Sequence, residues 1–307
     1  MSGSRIALVS QHDDTDLFTD GPLLFEAFAQ RGHHAEVAPW GAACDWAAFD
    51  AVIVRATYDY IDRPDEFFAW ADRVERVTRL ANPAATLRWN GDKSYLRDLA
   101  AGGIATIPTA WVGPHDTTTA HLDHDEIVVK PTTSAGSRLA ARYRRNEHDA
   151  ARRHLEQLSE LGLSAMVQPY VAAVDDVGET GVYVFGGAVS HAIQKSAALL
   201  AGAPPAEDFA AGFAQVIEPQ PLDDNLTSFA LAVIGALPPD LPQPLYARID
   251  TVRDAHGTLL LLELELIEPF LFLETSLGAA DRYVDAALQW IARPPNGYKS
   301  QPWDEEA

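Results

Sequence analysis

Apolar residues in the first eighty positions follow two alternating patterns. Arg5–Ser10 (RIALVS), Ala35–Ala38 (AEVA) and Ala51–Arg55 (AVIVR) are short, continuous runs of strand type. Gly21–Arg31 (GPLLFEAFAQR) and the stretch from about Arg63 to Val77 carry apolar residues at helical spacing instead. This strand–helix–strand succession predicts an open, mostly parallel sheet with helices on its faces. No Gly-x-Gly-x-x-Gly follows the first strand, so nothing supports dinucleotide binding.

The character of the chain shifts near Asn90. NGDKSYLRDLA predicts a helix with Asn90 as N-cap and Lys93 in the first turn. EIVVKPTTSAGSRLAARYR predicts a strand ending at Lys130, a small-residue loop and a returning strand, and Glu147–Leu161 a helix. Val167–Val171 (VQPYV) reads as a short extended connector, and GVYVFGGAVSHAIQK as a hairpin turning at Gly186–Gly187. Residues 197–223, rich in Ala, Pro and Gly, form a long excursion. A helix over Asn225–Leu237 follows, then a second hairpin, LYARIDTVR–DAHG–TLLLLELELI, and a closing helix over Ala279–Ile291. The tail PPNGYKSQPWDEEA has the composition of a mobile end.

The second hairpin raises a chemical question. Leu259–Ser276 (LLLLELELIEPFLFLETS) is nearly all core material, yet it contains Glu263, Glu265 and Glu268. A carboxylate in apolar surroundings costs several kcal/mol unless cations or hydrogen-bond donors offset it. With Asp254–Gly257 as the loop, Arg253 pairs with Thr258, Asp250 faces Leu261 and Arg248 faces Glu263. The period of two then puts Arg248, Asp250, Glu263 and Glu265 on one face. It sends Leu260, Leu262, Leu264 and Leu266 into the core. Three hard-oxygen side chains beside an arginine suit Mg²⁺ together with an anion. The plainer alternative is a solvated face with an Arg248–Glu263 salt bridge, since many antiparallel sheets have one wet face.

Composition narrows the partners. The 307 residues exceed one small core, so two or three subdomains are expected. A net charge of −21 repels nucleic acid and anionic membranes and favours small molecules and cations. No apolar run reaches the ~20 residues of a membrane span. The start, MSGSRIALVSQHDD, lacks the basic region and cleavage site of a signal peptide. The single Cys44 cannot form an internal disulfide, which fits a cytoplasmic location.

Lysine occurs only at Lys93, Lys130, Lys195 and Lys299. Lys130 ends IVVK just before TTSAGS (Thr132–Ser137), and Lys195 ends VSHAIQK. Lysine is a compact charge suited to phosphate oxygens, and backbone N–H groups of a small-residue loop can approach phosphate closely. The loop is not a Walker A loop, because no Gly-Lys-Ser/Thr occurs. Taken singly, each lysine reads as a snorkelling surface group and the loop as a hairpin turn.

In order along the chain, Lys93, Lys130 with SAGS, VQPYV, GETGVYVFGGAVSHAIQK, YARID and ELELIEP resemble the ATP-grasp superfamily of carboxylate–amine ligases. RATYDYIDRPDEFFAW, RWNGDKSYL, ELIEPFLFL and GAADRY are similar to a branch related to glutathione synthetase, which includes the D-cycloserine-forming O-ureidoserine cyclo-ligase. The resemblance covers residues 80–276 by motif. It implies an α/β chain, α+β in its ATP-binding part: an ATP-grasp fold behind an N-terminal open parallel-sheet domain. The implied division is 1–85 for that domain, 86–168 for a lid subdomain, 169–295 for the metal-bearing subdomain and 296–307 for the tail.

The resemblance also implies roles. ATP and Mg²⁺ are the cofactors. Lys93 and Lys130 hold phosphates, Ser134, Gly136 and Ser137 belong to a loop that closes over them, and Gln168, Tyr170 and Val171 line the adenine pocket. Lys195 and Arg248 face the γ-phosphate or an acyl phosphate, and Asp250, Glu263 and Glu265 bind Mg²⁺. Many relatives have Asn in a Glu-x-Asn pattern where this chain has Glu265. Glu268 fits a substrate contact or a salt bridge. The implied partner is a small amino-acid-like substrate, with no nucleic acid and no membrane, and a homodimer is compatible. Joining two substrates, as glutathione synthetase does, and nucleotide binding without catalysis are the alternatives.

Two clusters follow N-terminal strands, HDDTD (His12–Asp16) and RATYDY (Arg55–Tyr60), where open α/β sheets bind ligands. Arg55 suits a substrate carboxylate, and Asp14 or Asp59 an amino group. Tyr58 is a further candidate contact. The plainer readings are a capped turn for HDDTD and packing for Tyr58 and Tyr60.

Overall fold

The apolar runs at the N-terminus pair side by side. In the computed structural model, which describes residues 3–12, 17, 19–116, 123–208 and 214–293, β1 (Arg5–Ser10), β2 (His34–Pro39), β3 (Ala51–Ala56) and β4 (Arg79–Ala81) form a parallel sheet. Its order is β2-β1-β3-β4. β1 and β3 are buried on both faces, which is why they read as continuous apolar runs rather than alternating ones. On one face, α2 (Pro64–Val77) packs Phe67, Trp70 and Val74 against Val9, Val52 and Val54. On the other, Ile6, Leu8 and Ile53 meet α1 (Asp20–Gln30).

The middle of the chain forms a second sheet, antiparallel, in the order β5-β8-β6-β7. Its strands are β5 (Ala110–Val112), β6 (Glu126–Pro131), β7 (Ala141–Arg144) and β8 (Ala165–Pro169). VQPYV is therefore mostly the strand β8 and not a connector. Helix α5 (His148–Glu160) covers this sheet with Ala151 and Leu158. Before it come two short helices, α3 (Ala84–Asn90) and α4 (Tyr95–Ala101). Asn90 ends α3 and caps nothing, while Lys93 lies in the link before α4, which starts after Ser94. The reason is tertiary. The Asn90 side chain donates to the Leu264 carbonyl at 2.8 Å and accepts from the Leu266 N–H at 2.8 Å, so it continues a strand edge instead.

That edge belongs to the third sheet, ordered β11-β10-β9-β12-β13 and antiparallel: β9 (Glu179–Phe185), β10 (Ala188–Lys195), β11 (Ile217–Gln220), β12 (Tyr246–Arg253) and β13 (Leu259–Glu265). Gly186 and Gly187 take φ of +59° and +90° in the tight turn between β9 and β10, as such hairpins require. The 197–223 excursion supplies β11. One face of the sheet packs on α7 (Asp224–Gly235) through Leu226, Ala230 and Val233. Part of the other face joins the first sheet and α8 (Ala279–Ala292) in a common core with Tyr183, Phe185 and Tyr283. Short α6 (Ala173–Val177) lies by β12. Among the described residues, no helix is long and apolar enough to cross a membrane.

The second hairpin departs from the expected register twice. Arg253 pairs with Leu259, because the Asp254 carboxylate accepts from the N–H groups of His256 and Thr258 and keeps Thr258 in the loop. The register shifts again between Asp250 and Thr251, so Thr251 faces Leu261, Asp250 faces Glu263 and Arg248 faces Glu265. Leu262 is the extra residue of a β-bulge, and a bulge resets the alternation of faces. Leu259, Leu261, Leu264 and Leu266 enter the core, whereas Leu260 and Leu262 lie on the opposite side, by Ile107, Val174 and Val252. The four charged residues still share a face, as expected, but Leu260 and Leu262 are not core positions.

This register has a measurable consequence. Leu264→Gln buries an unpaired amide and should lower unfolding stability by at least about 3 kcal/mol. Leu262→Gln, beside the cavity described below, should cost less than about 1 kcal/mol. Urea unfolding of both variants checks this, and equal losses would refute the bulge.

Candidate active site

A cavity of about 270 Å³ opens where the three sheets meet. Fifteen of the predicted site residues line it: Lys93, Lys130, Ser134, Gly136, Ser137, Gln168, Tyr170, Val171, Lys195, Arg248, Asp250, Glu263, Glu265, Tyr58 and Glu268. The excursion after β10 contributes Ala198, Leu199 and Gln215. Glu179 also lines the cavity and was not anticipated. Its signal was available in sequence as the residue that opens the strand paired with the Lys195 strand.

The charged floor is built by strand register. Gly181, Asp250 and Glu263 lie in one row across β9, β12 and β13, and Tyr183, Arg248 and Glu265 in the next. Gly181 leaves room for its neighbour, since a Cβ there would lie 3.0 Å from Asp250 Oδ1. Asp250 is 2% exposed and accepts from Lys195 Nζ at 2.8 Å, Arg248 Nε at 2.9 Å and Arg248 Nη2 at 3.0 Å. Lys195 also reaches Glu179 at 3.1 Å. Arg248 bonds Glu265, and Lys93 lies 3.2 Å from Glu263.

These contacts set the protonation states. Burial raises the Asp250 carboxyl, but Arg248 and Lys195 outweigh it and hold the group below its usual value. Burial drives Glu265 the other way, helped by Glu263 and Asp250, and together they outweigh the attraction of Arg248 and Lys195. For Lys195, burial is outweighed by Asp250 and Glu179, so the ammonium is held above its usual value. For Lys130, burial outweighs the attraction of Glu263 and Glu179 and pushes the ammonium below its usual value.

The three expected metal ligands are not equivalent. Among the described residues, no three or more His, Cys, Asp or Glu side chains form a group that could hold a metal ion. Asp250 is drawn into the cations and has three of its four lone-pair directions taken. Glu263 and Glu265 each keep one oxygen outside these contacts and face the cavity. Their hard oxygens are of the kind that Mg²⁺ takes.

The upper wall carries the small-residue loop. Gly136 and Ser137 take φ of +56° and +61°. Ser134 Oγ donates to the Arg138 carbonyl at 2.7 Å, and Lys93 Nζ donates to the Ser134 carbonyl. The loop is tied to its surroundings through Arg138 to Asp62 at 2.6 Å and Leu139 N–H to the Ala206 carbonyl at 2.7 Å. At the far end, Gln168 donates to Thr109 Oγ1 at 2.8 Å and the Tyr170 N–H donates to the Glu126 carbonyl at 3.0 Å. Tyr170 is clamped: Arg142 lies 3.5 Å over its ring, and its hydroxyl donates to Asp175 at 2.7 Å.

Two expected substrate contacts, Asp59 and Arg55, fall elsewhere. Asp14, with most of HDDTD, lies outside the described residues. Asp59 accepts from Trp40 Nε1 and Arg63 Nη2, both at 2.8 Å, and does not line the cavity. Arg55 is buried behind the wall, where it donates to the Pro269 carbonyl at 2.7 Å and lies over the rings of Tyr246 and Tyr283. A strand-end arginine reads as a ligand in sequence, but here its Nη2 donates to a folded-back segment, while its buried Nε and Nη1 have no hydrogen-bond partner among the described residues.

Comparison with known proteins follows the same lines. Residues 6–82 match the family model described as the N-terminal domain of D-cycloserine synthetase DcsG. The chain is 37% identical over 300 residues to the cycloserine biosynthesis protein DcsG of Streptomyces lavendulae, covering 92% of this chain and 98% of that one. The crystal structure of D-cycloserine synthetase DcsG superposes with a TM-score of 0.82 at 36% identity, over 94% of this chain and 99% of that one. The D-alanine–D-alanine ligase of Bacillus anthracis, solved with ATP, gives a TM-score of 0.66 at 14% identity over 94% and 97% of the two chains, a likeness of fold alone.

The floor predicts an asymmetry among its acids. Asp250→Ala strands two buried cations and should cost about 3–5 kcal/mol. Glu263→Ala, whose side chain is 24% exposed, should cost less than about 1 kcal/mol. Urea unfolding without nucleotide measures both, and similar losses would contradict the role given to Asp250.

Proposed function

The chain belongs to the DcsG family of ATP-grasp ligases, and from that premise we propose that it closes an O-ureidoserine-like amino acid into a ring at the expense of ATP. The observation that carries this reading is the cavity itself, in which Lys93, Lys130, Lys195 and Arg248 face Glu179, Asp250, Glu263, Glu265 and Glu268. A mixed floor of this kind suits a metal–triphosphate complex, because cations take phosphate oxygens while acids take the metal.

In this reading, Gln168 to Val171 hold the base, with Tyr170 kept in place by Arg142 and Asp175. Lys93 and Lys130 hold phosphates beneath the Ser134–Ser137 loop. Glu263 and Glu265 would hold Mg²⁺, while Asp250 keeps Lys195 and Arg248 in place beside them. Bound Mg²⁺ neutralises charge on the phosphate oxygens. Arg248 and Lys195 orient the γ-phosphoryl group toward the substrate carboxylate. Phosphoryl transfer gives an acyl phosphate and ADP. The N–H nitrogen bound to the side-chain oxygen of the same molecule then attacks the acyl carbon, the new C–N bond closes the ring, the C–O bond to phosphate breaks, and the proton lost from nitrogen passes to the departing phosphate. Water would hydrolyse the acyl phosphate, so the loop and the 197–208 segment serve to exclude it.

The experiment is a turnover assay with O-ureido-D-serine, ATP and Mg²⁺, followed by chromatography. ADP, phosphate and a cyclised product are expected in equal amounts, and AMP with pyrophosphate would overturn the mechanism. Lys130→Ala should weaken ATP binding at least about tenfold at fixed Mg²⁺, from loss of charge-assisted hydrogen bonds. Unchanged affinity by calorimetry would remove Lys130 from the phosphate site.

A further inference from the structure

Glu268 differs from every other acid on the cavity wall. Glu179, Asp250, Glu263 and Glu265 each meet a lysine or arginine. The Glu268 side chain is 8% exposed, lines the cavity and has no hydrogen bond or ion pair among the described residues. Burial, with Glu265 next to it, holds this carboxyl well above the usual carboxylate range, and a cationic ligand in the cavity would offset the cost of ionising it.

Its backbone is held on both sides. The Tyr246 hydroxyl lies 2.8 Å from the Ile267 carbonyl, Arg55 donates to the Pro269 carbonyl, and the Tyr183 hydroxyl donates to the Phe270 carbonyl at 2.8 Å. Asp20 accepts from the N–H groups of Leu271 and Leu273 at 2.8 and 3.0 Å. The carboxyl is thus presented from a fixed segment, three residues beyond Glu265. Beside it stand Tyr58, Phe270 and Phe272, with Tyr58 stacked on Phe270 at 5.1 Å.

We propose that Glu268 binds the α-ammonium group of an amino-acid substrate. This rests on the reading that the substrate carboxylate meets the γ-phosphate beside Arg248 and Glu265. An α-ammonium is two bonds from that carboxylate carbon, and Glu268 is the lining acid without a cation of its own among the described residues. The aromatic wall then takes the remainder of the side chain. Glu268 in this role selects α-amino acids over their deamino or hydroxy counterparts.

The test compares O-ureido-D-serine with its analogue lacking the α-amino group, using kcat/KM for ADP formation in the wild type, Glu268→Gln and Glu268→Asp. The wild type should prefer the amino acid by at least about tenfold, as expected for a charge-assisted contact. Glu268→Gln should reduce that preference to within about threefold, chiefly by raising KM for the amino acid, and Glu268→Asp should restore part of it. If Glu268→Gln keeps the full wild-type preference, or loses both substrates equally, the assignment is overturned while the ligase reading stands. If the wild type forms no ADP from O-ureido-D-serine or from its analogue, the substrate reading is overturned instead.

Discussion

The buried Asp250 carboxylate, held between Lys195 and Arg248, is the contact on which the site depends. Asp250 lies on β12, in the interior of the third sheet, and both cations reach it from neighbouring positions on that face. Burying any one of these groups alone would cost several kcal/mol, so each is retained because the others are present. The result is a pair of cations fixed at the cavity with their charge kept. Glu179 extends the clamp on one side and Glu265 on the other. The small residue at Gly181 is part of the same construction, since it leaves the space that the Asp250 carboxylate occupies.

Around this clamp, side chains of the first sheet and its helices hold the third sheet in register. Asn82 donates to the carbonyls of Tyr246 and Leu266 and accepts from the Leu245 N–H at 2.7 Å, while Asn90 completes the free edge of β13. Arg55, Tyr183, Tyr246 and Asp20 fix the segment after β13, and His191 does the same through the Leu271 carbonyl at 2.9 Å. The cavity wall bearing Glu268 is therefore rigid, whereas the Ser134–Ser137 side carries the loop conformations of positive φ. A rigid floor opposite a small-residue loop suits the acyl-phosphate reaction proposed above.

Much of this was legible in the sequence because periodicity reports directly on burial. The parallel N-terminal strands, the Gly186–Gly187 hairpin and the charged face of the second hairpin all follow from local pattern. The likeness to ATP-grasp ligases brought scattered lysines and acids together across the chain. What local pattern could not reveal were contacts that side chains make over long sequence distances. Asn90 reads as a helix cap but completes a strand edge, and Arg55 reads as a ligand but holds a backbone carbonyl. The bulge at Leu262 was hidden because LLLLELEL is equally apolar in either register. The three candidate metal ligands looked uniform in sequence, since Lys195, which together with the nearby Arg248 sets Asp250 apart, is distant along the chain.

The central claim is that Glu263 and Glu265 face the metal of a nucleotide complex while Asp250 holds the cations. It is tested most directly by thermal unfolding of the wild type and of the Glu263→Gln/Glu265→Gln double variant, each with and without Mg²⁺–ATP. A ligand stabilises only the state that binds it. The wild type should gain several degrees, and the double variant, intact without ligand, should gain almost nothing. Equal gains in the two proteins would show that these glutamates form a solvated sheet face and that the metal is held elsewhere.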